Sequence, residues 1–138
     1  MKVLYLFAGL FFITNTSFAA EEWITIPNSD PNIMFSIDKA SIEREGNLVR
    51  FWERLVFTQP KIKDEASDKM VKEKKVHRLM SCAENTQGFI SGATYAENGR
   101  FISSVSFDNP QAQMSLIPPG TLAAEELGLV CALSQKRL

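Results

Sequence analysis

Ten consecutive residues, Leu48 to Phe57, alternate in hydropathy with a period of two, and this run constrains the fold more than any other feature of the chain. Val49, Phe51, Leu55 and Phe57 fall on one face, interrupted only by Glu53, while Arg50 and Arg54 flank Trp52 on the other. Side chains alternate across a strand, so such a run is a β-strand with one face buried, and it needs neighbours to pair with. Further period-two runs follow the same pattern: Trp23 to Ile26, Ile33 to Ile37, Met70 to Ala83, Phe89 to Tyr95 and Phe101 to Phe107. Turn residues separate them, among them Pro27, Asn28-Ser29-Asp30-Pro31, Gly46-Asn47 and the two-residue hairpin signal Asn98-Gly99. Gln59 to Asp68 is polar, contains Pro60 and reads as a loop or a short helical turn.

After Pro118-Pro119 the period changes. Ala123, Leu127, Val130 and Cys131 recur at helical spacing, with Thr121 as N-cap and Glu125 and Glu126 as surface charges near the positive end of the dipole. The expected architecture is α+β: an antiparallel sheet of five or six strands, with a C-terminal helix packed on one face. The other face is left for solvent, a partner or a second subunit.

Lys2, the apolar run Val3 to Ile13 and the small residues Ser17 and Ala19 have the layout of a secretory signal peptide over residues 1–19. Residues 20–138 are then one exported domain with no second stretch of membrane length, hence no transmembrane segment in the mature chain. The position after the expected cleavage holds Ala20 and not Cys, so a lipid anchor has no attachment point there. The expected location is the periplasm or the cell surface. Cys82 and Cys131 lie 49 positions apart in the exported part. An even count in an oxidising compartment reads first as a disulfide, which would pin helix to sheet and stabilise the fold by roughly 4 kcal/mol on a chain-entropy basis. Two buried thiols, or a metal pair with His77, are the competing readings. The metal pair lacks a fourth ligand and any C-x-x-C spacing.

With 15 Lys+Arg against 16 Asp+Glu and a pI near 5.9, the chain is not built to neutralise phosphates, and nucleic acid is excluded as a partner. The single histidine, His77, leaves little material for nucleophilic catalysis, and no phosphate loop or zinc helix motif is present. The reading is therefore a non-enzymatic protein with no cofactor and no metal. Lys69, Lys72, Lys74, Lys75, His77 and Arg78 form the densest cationic stretch. They would suit an acidic partner, or else guard a solvated edge strand against aggregation. On a strand, Lys72, Lys74, Val76 and Arg78 take one face and Glu73, Lys75, His77 and Leu79 the other. Trp52 between two arginines is the better aromatic candidate for an interface; Trp23 is the second.

Ile33-Met34-Phe35-Ser36-Ile37-Asp38, Ser41-Ile42, Arg44 and Gly46, Val49-Arg50-Phe51-Trp52, then Cys82, Ile117-Pro118-Pro119-Gly120-Thr121 and Val130-Cys131 occur in a collinear order. That order resembles the surface-adhesin protein E family of Gram-negative bacteria across nearly all the mature chain. The resemblance implies a sheet with a disulfide-held C-terminal helix and a role in binding. Relatives bind host matrix and plasma proteins such as vitronectin, laminin and plasminogen, and some dimerise, so a homodimer is among the states it implies. Met114 departs from the pattern, where a tryptophan is expected ahead of the Pro-Gly. The alternatives to an adhesin are a periplasmic inhibitor of a hydrolase such as lysozyme, and a structural envelope component.

Overall fold

The computed structural model describes residues 20–59 and 62–135. Residues 1–19, expected to be a signal peptide, lie outside the described residues, as does Pro60. Strands β1 (Trp23–Ile26), β2 (Ile33–Asp38), β4 (Leu48–Phe57), β5 (Val71–Ser81), β6 (Thr86–Ala96) and β7 (Phe101–Ser106) form an antiparallel sheet in the order β1-β2-β4-β5-β6-β7. Two short strands complete it: β3 (Glu43–Glu45) pairs with β4 and β8 (Ser115–Leu116) pairs with β6. The sequence reading missed both, because two or three residues are too few for a periodicity to show. Gly46, at φ +61°, makes the turn that folds β3 back on β4. Helix α1 (Leu122–Gln135) follows, with the Thr121 hydroxyl accepting from the Ala124 amide at its start.

The alternation of β4 becomes two different faces of the sheet. Val49, Phe51 and Glu53 point to the helix side, where Val49 and Phe51 join Ile26, Ile37, Ile42, Met80, Ile117 and Val130 in the core. Cys82 and Cys131 are disulfide-bonded, with Cα atoms 6.0 Å apart, and tether α1 just past the end of β5. Arg44, carried on the helix side by β3, donates from Nη1 to Ser134 Oγ at 3.2 Å and to the Cys131 carbonyl at 3.5 Å, which helps satisfy the end of the helix.

The buried stripe of α1 is Glu126, Val130 and Ser134, not a purely apolar face. Glu126 is a correction to its expected place on the surface: it is fully buried because Arg78 reaches it. Arg78 Nη1 lies 2.7 Å from Glu126 Oε2 and 2.8 Å from Glu53 Oε2, and Nη2 bonds Gln87 Oε1. Removal from water is affordable for these charges only because they pair. Two carboxylates face one guanidinium, so burial and repulsion from Glu53 push the Glu126 pKa up to about 8, against the pull of Arg78.

Removing both cysteines (Cys82→Ala with Cys131→Ala) should lower the unfolding free energy by about 2–5 kcal/mol, read from urea midpoints. The folded state holds the Glu126 proton more tightly than the unfolded chain, whose carboxyl titrates near 4.5, so stability should fall as pH rises from about 4.5 through 8. Glu126→Gln should flatten that slope in melting temperatures taken from pH 5 to 9. An equal slope in the variant would assign the titration to another group.

Candidate functional site

The candidate site is the sheet face that the helix leaves open. In the register of β4 on β5, Trp52 stands opposite His77 and Arg54 opposite Lys75. Cross-strand neighbours in such pairs sit about 5 Å apart, and the two rings accordingly stack, with centroids 4.6 Å apart and planes 5° from parallel. The backbone beneath Trp52 is fixed locally. Its amide falls in the gap between the β3 and β2 ladders and donates to Ser41 Oγ at 2.9 Å, while that hydroxyl donates to the Asp38 carbonyl at 2.7 Å. Asp38 in turn accepts the Glu22 amide at 2.8 Å, which anchors the start of β1 and thereby Trp23.

Around this stack the open face alternates aromatic rings and cations. The Arg54 guanidinium lies 4.4 Å above the Trp23 ring. Lys75 Nζ lies between two rings, 6.0 Å from Trp23 and 5.7 Å from Tyr95. Tyr95 meets Phe101 edge to face at 6.1 Å, which carries the patch to the last strand. Pairs of this kind stabilise by about 0.5–2 kcal/mol each and hold long cationic side chains in place. Trp23, Trp52, Arg54, Lys75, His77 and Tyr95 are all half-buried, which leaves part of each ring or charge exposed to a partner. A cleft of about 190 Å³ opens between Trp23 and Trp52, with Lys75, Glu21 and Asp38 on its walls.

The cationic stretch divides as the alternation predicts. Lys75 joins Trp52 on the open face, Lys74 projects on the helix side, and Lys72 sits at a β-bulge between Val71 and Glu73. Lys69 is exposed in the turn ahead of β5, beside Asn98 and Arg100. Arg78 is only 6% exposed and belongs to the interior network with Glu53 and Glu126, so it offers no charge to the surface. The sequence places Tyr95 and Phe101 on strands without marking either as a site residue. Their signal was the Asn98-Gly99 hairpin, which brings them opposite each other across β6 and β7.

Burial beneath Trp52 lowers the His77 pKa below its usual 6.5; Glu43 pulls it up and Arg50 pushes it down. His77 is thus a neutral ring at pH 7, suited to stacking. An NMR titration of His77 should give a midpoint below 6.5, lower still in Glu43→Gln and higher in Arg50→Gln. A midpoint at or above 6.5 in the unsubstituted protein would refute the buried stack.

Among the described residues, no helix is long and apolar enough to cross a membrane. No curated protein matches the chain. The fold is found in solved structures of Haemophilus influenzae protein E. Crystal form II of that protein superimposes with a TM-score of 0.55 at 11% identity, covering 81% of this chain and 98% of the other. A second structure of it gives 0.55 at 12% identity, over 83% and 96%. Protein E from non-typeable Haemophilus influenzae gives 0.51 at 11% identity, over 82% and 86%. The family model described as surface-adhesin protein E matches residues 23–132, and the chain belongs to that family.

Proposed function

We propose that this chain is an exported, non-enzymatic binding protein that captures a host matrix or plasma protein on its open sheet face. The observation that carries the reading is the row of stacked rings and cations running from Trp23 through Arg54, Trp52, His77 and Lys75 to Tyr95. Interfaces are enriched in tryptophan, tyrosine and arginine, because large rigid rings bury area at low entropic cost. Here the rings are already ordered by one another and by the Ser41 bond beneath Trp52, so little freedom is lost on binding. Membership of an adhesin family supports a partner outside the cytoplasm, at or beyond the envelope. Trp52 and Lys75 form the centre of the proposed contact. Lys69, Lys72 and Lys74 add positive field that steers an acidic partner, and Arg78 contributes through the fold alone.

The test is binding of the purified exported domain to immobilised vitronectin and laminin, with Trp52→Ala and Lys75→Glu compared to the unsubstituted chain. Each substitution should weaken binding about tenfold or more, with circular dichroism unchanged. Binding by both variants at full strength would remove the open face from the reading. Binding to neither protein by the unsubstituted chain would remove these partners.

A further inference from the structure

The sheet ends at β7, and nothing in the described chain pairs with its outer side. The Phe107 amide donates to the Ile90 carbonyl at 2.9 Å, and Val105 and Ser103 follow in register opposite Gly92 and Thr94. In an antiparallel ladder bonded pairs alternate with unbonded ones. The amides and carbonyls of Ser104 and Ser106 therefore point away from the sheet. β7 reads Phe-Ile-Ser-Ser-Val-Ser, without a charge or a proline. At the opposite end β1 has only four residues, stopped by Pro27 and preceded by Glu21 and Glu22. One edge is guarded as natural sheets guard theirs; the other is bare.

Beside the bare edge, on the helix side of the sheet but beyond the helix, lies a hollow of about 300 Å³. Its floor is Gly92, which shares a register row with Val76 and Val105. Phe89, Val105 and Phe107 wall it and are 45%, 51% and 38% exposed, and Lys74 stands at its rim. Gly92 does not have a positive φ, and a Cβ there would meet only ordinary contacts at 3.6 and 3.7 Å. Neither a positive φ nor crowding requires glycine, and the missing side chain leaves room for another segment to approach the sheet closely at this point.

We propose that β7 accepts an extended segment of a partner protein as an added strand, with an apolar side chain of that segment over the Gly92 hollow and an acidic one directed to Lys74. An extended backbone in antiparallel register can pair with the outward groups of Ser104 and Ser106 at once. The exposed Phe89, Val105 and Phe107 and the cation at the rim specify the rest of the segment. This surface lies on the opposite face of the sheet from the Trp52–His77 stack, shares only Lys74 with the cations invoked there, and does not depend on what binds the stacked rings.

The test is an NMR titration with a blocked octapeptide in which threonine alternates first with valine and then with glutamate. Amide shifts should centre on Ser104 and Ser106, and hydrogen exchange at those amides should slow about tenfold at saturation. Ser104→Pro removes an outward donor without breaking the bonds to β6 and should abolish the shifts. The same peptide N-methylated at alternate threonines should not bind, which tests the pairing on the unsubstituted protein even where the proline variant misfolds. Gly92→Val should weaken binding about tenfold at an unchanged melting temperature, and Trp52→Ala should leave it intact. Equal binding of the N-methylated peptide, shifts centred on Trp23 and Trp52, or a dimer in sedimentation that Ser104→Pro converts to monomer would each overturn the proposal.

Discussion

The Arg78 guanidinium, held between Glu53 and Glu126, is the contact on which the rest of the molecule depends. It joins β5, β4 and α1, and its bond to Gln87 adds β6. A charge buried in so small a domain is tolerated only when its partners are in place, so the network accepts one docking of the helix and rejects others. The disulfide restrains α1 at a single point, whereas the bond from Arg78 to Glu126 fixes which side of the helix faces the sheet. Because Glu126 keeps its proton near neutral pH, the network balances one cation with one anion and carries no surplus charge into the core.

That docking also decides where the open face lies. Phe51 and Trp52 are neighbours in sequence and are separated by the full thickness of the sheet in function. Phe51 is sealed in the core, and Trp52 stacks on His77 and stays half-buried on the open face. The same division separates Lys74 from Lys75. A stretch that reads as one basic run therefore serves two surfaces, one lined by stacked rings and one beside the bare edge.

Most of the sheet was legible because its strands are long enough for period two to show: β1 and β4 fall where the alternation places them, and Asn98-Gly99 forms the expected hairpin. The helix start at Thr121 and the cysteine bridge were equally plain. Glu126 was not. A carboxylate on a helix reads as surface unless its partner is known, and Arg78 lies 48 positions away on a strand whose register local pattern does not fix. The Trp52–His77 stack escaped for the same reason: each ring was visible, but their meeting depends on how β4 and β5 align. The bare character of β7 also needed the strand order, since an uncharged strand is ordinary inside a sheet and exceptional at its rim.

The Cys82–Cys131 bond has a mechanical consequence. A pull applied between the two ends of the described chain passes from Cys82 to Cys131 through sulfur, so the residues between them carry no tension. β6, β7, β8 and most of α1 lie within that covalent loop, while β1 to β5 lie outside it and bear the load. Under shear, strands such as β1 would peel first. The outer rank of the sheet, with its bare edge and the Gly92 hollow, would carry none of the load until the disulfide was reduced.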